Sequence, residues 1–174
     1  MKKLLFIAFL FSSFLFSSCG DDLKDLLDVS INTTVTKDID LSVIGGTNSL
    51  NQSVNVSLDN QDTNQYLNKL KTLEIKKMTY KIIEFTGDPD GKITANLKAD
   101  NETLLTITDT NVKTSFDNAT VFEVTNKNAL ITAASAFLTN KTINLTTSGS
   151  TVCINPMTFK IKVTLELGIV ANPL

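Results

Sequence analysis

No histidine, arginine or tryptophan occurs in the 174 residues, and cysteine is limited to Cys19 and Cys153. Without histidine there is no Ser-His-Asp or Cys-His relay, no imidazole ligand for zinc and no group that titrates by default near neutral pH. Without arginine, bidentate recognition of phosphate, carboxylate or guanine edges is lost. Without tryptophan, sugar stacking falls to Tyr66, Tyr80 and the phenylalanines. No Pro/Gly/Ser-rich linker divides residues 29–174, so they read as one domain.

What is present begins with a short positive start, Lys2 and Lys3, followed by an apolar stretch from Leu4 to Phe16 interrupted only by Ser12 and Ser13. The small residues Ser17, Ser18 and Cys19 come next. This is the order of a secretory signal, and residues 1–18 are predicted to be a signal peptide outside the fold. A permanent bilayer span needs roughly 20 apolar residues, more than this run supplies.

The stretch Phe16-Ser17-Ser18-Cys19 resembles the lipobox of bacterial lipoproteins, with phenylalanine where that pattern prefers leucine. The resemblance implies a diacylglycerol on the Cys19 thiol and Cys19 as the mature N-terminus; the alternative is an ordinary signal peptide. Asp21, Asp22, Asp25 and Asp28 follow. A cysteine followed closely by acids resembles the export signal of surface lipoproteins in Bacteroidetes-type bacteria. That implies display on the outer leaflet of the outer membrane, with Asp21 and Asp22 as signal residues. Equally, residues 19–28 read as a solvated acidic tether. Either way the expected membrane partner is reached through a lipid anchor at the bacterial outer membrane.

Setting residues 1–18 aside leaves 156 residues, enough for a sizeable core. Without Lys2 and Lys3, 14 lysines face 18 acids, a net charge of −4. An acidic chain without arginine is not expected to bind nucleic acid. With Cys19 carrying lipid, Cys153 stands alone beside Val152 and Ile154, where it reads as a small buried hydrophobe.

Alternation dominates the rest. Val29, Ile31, Val35, Ile39, Leu41 and Val43 mark one face, and Ser30, Asn32, Asp38, Asp40 and Ser42 the other. Gly45-Gly46 ends this run, and Val54, Val56 and Leu58 resume it. The last strand places Phe159, Ile161, Val163, Leu165, Leu167 and Ile169 inside. Shorter strands are expected at Ile93-Ala95-Leu97, Leu105-Ile107 and Val112-Thr114-Phe116. Leu73 and Ile75 switch phase to Met78, Tyr80 and Ile82, which predicts a β-bulge at Lys76-Lys77. Two helices are predicted: one capped by Asp62 or Thr63 and carrying Tyr66, Leu67 and Leu70. The other is capped by Asn128, with Leu130, Ile131, Ala134, Phe137 and Leu138 on one stripe. The expected class is all-β: a two-layer antiparallel β-sandwich, immunoglobulin-like or jelly-roll, with two short helices; a closed barrel is the alternative. The pattern resembles that of small β-sandwich lipoproteins of Bacteroidetes-type bacteria, which supplies no site residues.

Few residues suggest chemistry. Asp88 and Asp90 in "TGDPDGK" could start a calcium loop, but no further acids or glutamate follow, and the same residues suit a tight turn. The Asn-x-Ser/Thr triplets at Asn32, Asn55, Asn118 and Asn144 read as chance in an Asn/Thr-rich bacterial chain. Glu74, Glu84, Glu102, Glu123 and Glu166 are the candidates for a paired-carboxylate hydrolase, and nothing in the sequence places two across a cleft. The leading expectation is a non-catalytic, cofactor-free envelope structural or adhesion/accessory subunit with a protein or glycan partner. A glycan-binding module of an uptake system, with Tyr66 and Tyr80 stacking on sugar, is the first alternative; a small hydrolase is the second.

Overall fold

The structure, a computed structural model, describes residues 28–172. The signal segment 1–18, Cys19, Asp21 and Asp22 lie outside the described residues. In chain order the elements are β1 (Val29–Val43), β2 (Gly46–Ser57), a 3₁₀ helix (Asn64–Lys69), β3 (Leu70–Gly87), β4 (Lys92–Ala99) and β5 (Glu102–Asn111). They continue with α1 (Val112–Asp117), β6 (Val121–Glu123), α2 (Lys127–Asn140), β7 (Thr142–Cys153) and β8 (Met157–Ala171).

The strands form two four-stranded antiparallel sheets, ordered β1-β8-β3-β6 and β2-β7-β4-β5. β1 pairs with β8, β2 with β7, β3 with β6 and β4 with β5. This nested order is a chain folded in half and rolled into two sheets, the jelly-roll arrangement of the β-sandwich. The sheets are separate, which sets the closed barrel aside.

The core lies between the sheets and follows the alternation. Along β8, Phe159, Ile161, Val163, Leu165, Leu167 and Ile169 are buried, while Lys160, Lys162 and Glu166 reach the other face. The expected bulge is present: β3 shifts register against β8 between Ile75 and Lys77, so Ile75 and Met78 both face inward. Lys76 and Lys77 stay outside, where Lys76 Nζ donates to Asn32 Oδ1 at 2.7 Å and Lys77 pairs with Glu123 at 3.6 Å. At the centre of the second sheet, Gly149 sits between Leu50 and Ala95, and a Cβ there would lie 2.1 Å from the Thr94 carbonyl oxygen. Only glycine lets β7 and β4 approach this closely.

Three segments differ from expectation. Residues 112–117 are helical because Asn111 caps them: its Oδ1 accepts from Thr114 N at 2.7 Å, and Val112 and Ser115 bury one helical face. The Asp62/Thr63 segment forms a 3₁₀ helix with no side-chain cap hydrogen bond, and Leu70 already begins β3. α2 is capped by Asn126, whose Oδ1 accepts from Ala129 N at 3.2 Å; Asn128 lies inside the helix. The buried stripe is Ala129, Ala133, Ala134 and Phe137, and Ile131 is 64% exposed.

Candidate functional site

The residues singled out by the sequence do not converge. Asp88 opens a β-turn closed by Gly91 N donating to Asp88 O at 3.2 Å, with Pro89 second and Gly91 fourth. Its carboxylate accepts from Asp90 N at 3.0 Å, from Asn155 N at 2.8 Å and from Ile154 N. The Asn155 and Asp90 amides, followed by that of Ile154, outweigh the opposing effect of burial and hold the Asp88 carboxyl below its ordinary pKa. N–H groups aimed at both oxygens leave a cation poorly served, and no three His, Cys, Asp or Glu residues converge on a metal site among the described residues. The calcium reading of Asp88 and Asp90 therefore gives way to a clamp that ties the β3–β4 turn to the β7–β8 turn.

Tyr80 cannot stack on a sugar: it is 2% exposed, because the bulge turns Met78, Tyr80 and Ile82 into the core. Burial pushes its hydroxyl far above the ordinary tyrosine pKa. Tyr66 is half-buried on the 3₁₀ helix, so the proposed aromatic pair does not form an exposed platform. Cys153 is buried with a free thiol, 3.2 Å from the Ile44 carbonyl oxygen, as expected of a small hydrophobe.

Acids and a cation do meet on the outer face of the first sheet. Asp40, Lys160 and Glu84 stand in one row across β1, β8 and β3. Lys160 Nζ lies 3.0 Å from Glu84 and 3.6 Å from Asp40. The Glu84 hydrogen bond is the first cause holding the Lys160 ammonium above its ordinary pKa. A groove of about 350 Å³ opens here, and both of its acids pair with one ammonium. All five glutamates are exposed.

A continuous polar surface lies where the sequence marked no site. On the outer face of the second sheet, Asn51, Ser148, Asn96 and Thr106 form an uncharged row across all four strands. Ser49, Ser150 and Thr94 form a second row, and Ser53, Thr146, Lys98 and Thr103 a third. The side chains hold one another in place. Ser53 and Thr146 hydroxyls lie 2.6 Å apart, Asn144 Nδ2 donates to Asn55 Oδ1 at 2.8 Å, and Thr106 Oγ1 donates to Asn96 Oδ1 at 2.7 Å. Such pre-ordered hydroxyls and amides lose little side-chain freedom on meeting a polar partner.

No family model matches the chain, and no curated protein matches it. Among solved structures, the decameric BFDV capsid protein is similar at 12% identity and a TM-score of 0.42, covering 81% of this chain and 99% of that one.

Proposed function

We propose that this protein is a lipid-anchored, non-catalytic lipoprotein of the bacterial outer membrane that works by surface contact, as an envelope structural or adhesion/accessory subunit. The observation that carries the reading is the row Asn51–Ser148–Asn96–Thr106 with its flanking rows. A field of donors and acceptors whose one charge in these rows is Lys98 suits many weak, wet hydrogen bonds spread over a wide area. It offers no aromatic platform, so a protein partner ranks ahead of a glycan.

The test places a photo-crosslinking side chain at Asn96 or, on the opposite sheet, at Thr164, in the full chain on intact cells. The same partner recovered from the Asn96 variant and missing from the Thr164 variant supports the reading. Adducts from Thr164 alone, or glycan adducts at Asn96, would displace it in favour of the other face or of the glycan-binding alternative. Turnover of a glycoside, ester or peptide by the purified chain, lost in Glu84→Gln, would put the hydrolase alternative first.

A further inference from the structure

The four strands at the sheet edges are protected unequally. β1 carries Lys37, Asp38 and Asp40 along its edge, and Asp62 of a later loop accepts from Thr33 Oγ1 at 2.6 Å. β6 is only 3 residues long and includes Glu123. β5 carries Glu102 and Asp109, and its pairing with β4 is broken by two register shifts. Charges, short length and bulges are the usual devices that keep one sheet edge from pairing with another.

β2 has none of them. Its 12 residues, GTNSLNQSVNVS, include no charge and no proline. It pairs with β7 over its whole length without a register shift, and among the described residues β7 is its only strand partner. At about 3.4 Å per residue it presents an edge of about 40 Å. In an antiparallel ladder alternate residues point their N–H and C=O groups away from the paired neighbour, so β2 has a regular set left for a further strand.

The geometry points to a second copy of this chain as the occupant, joined antiparallel through β2. A two-fold axis at Gln52 places Leu50 of each copy opposite Val54 of the other on the inner side, so this pair occurs twice. On the outer side the same register sets Asn51 opposite Ser53 and Ser49 opposite Asn55. Every facing pair is neutral, so no like charges oppose the contact. The arrangement is isologous and closes at two copies, because the other edges are blocked. It would merge two polar fields into one eight-stranded face. The inference is independent of the proposed partner: a monomer could still use the polar field, and a dimer could lack a partner.

The full chain in detergent, examined by sedimentation equilibrium, should show a concentration-dependent rise to twice the monomer mass. Asn51→Lys and Gln52→Lys, which bring like charges together at the axis, should each return it to monomer with an unchanged far-UV spectrum. Gln52→Cys should give a covalent dimer on oxidation, since directly opposed residues lie within disulfide reach; Ser42→Cys on β1 should not. A wild-type monomer at all concentrations, a dimer indifferent to both lysines, or no Gln52→Cys crosslink would overturn the proposal.

Discussion

Single side chains decide how tightly the two layers fit. Thr147 and Thr151 point inward from β7, are fully buried, and their hydroxyls lack a hydrogen-bond partner. Each hydroxyl gives up water without a replacement, a penalty on the order of 1–3 kcal/mol. Valine has nearly the same shape, so Thr147→Val and Thr151→Val should each raise stability by about 1 kcal/mol, read as a higher urea midpoint at constant slope. A lower midpoint would show that the hydroxyl is bonded. The opposite substitution, Val163→Asp, places a charge at a fully buried site in the central strand β8 and should unfold the domain, costing several kcal/mol. Asp88 acts through protonation. Its folded pKa is depressed, so as pH falls the unfolded chain takes up the proton first. The stability it contributes is complete above the unfolded value of about 4 and is lost as pH falls through the lower folded value. Asp88→Asn should therefore flatten the acid limb of the stability–pH curve below roughly pH 4. Parallel wild-type and variant limbs would show that other carboxylates govern it.

At the scale of elements, caps separate what is real from what merely looks helical. Asn126 accepts from Ala129 N, whereas Asn128 sits in the first turn of α2. Asn126→Ala should cost about 1 kcal/mol in thermal or urea unfolding, and Asn128→Ala should be nearly neutral; equal losses would move the start of the helix. The same elements show where hydrophobic period suffices. β1 and β8 were legible because one face of each is buried along most of its length, and the Lys76-Lys77 bulge because a phase slip leaves a mark in the apolar pattern. α1 was not: Val112, Thr114 and Phe116 alternate like a strand, and only the Asn111 cap turns them into a helix. β2 begins at Gly46, well before Val54, because alternating serine and asparagine leave no hydrophobic signal. The polar field escaped for a further reason: Asn51, Asn96, Thr106 and Ser148 are far apart in sequence and meet only through the strand order.

At the scale of the whole molecule, the proposed role requires a way to hold the domain at a membrane. Among the described residues no helix is long and apolar enough to cross one. Both sheets bury their apolar faces against each other and turn polar ones outward. The first shows the Asp40–Lys160–Glu84 row and the second the Ser, Thr and Asn rows around Ser148. Neither outer face supplies the apolar band that lipid contact requires. The proposed role assigns attachment to Cys19 and its acyl chains, at about 0.8 kcal/mol for each buried CH₂; two or more chains give stable anchoring where one does not. Mass spectrometry of the mature N-terminus should find diacylglycerol on Cys19. Cys19→Ser should move the chain from the membrane to the soluble fraction while its β-rich far-UV spectrum stays the same, because the sandwich is built from residues 29–171. An unmodified N-terminus at Ser17 or Gly20, or a Cys19→Ser chain that still sediments with membranes after a carbonate wash, would remove the lipid anchor.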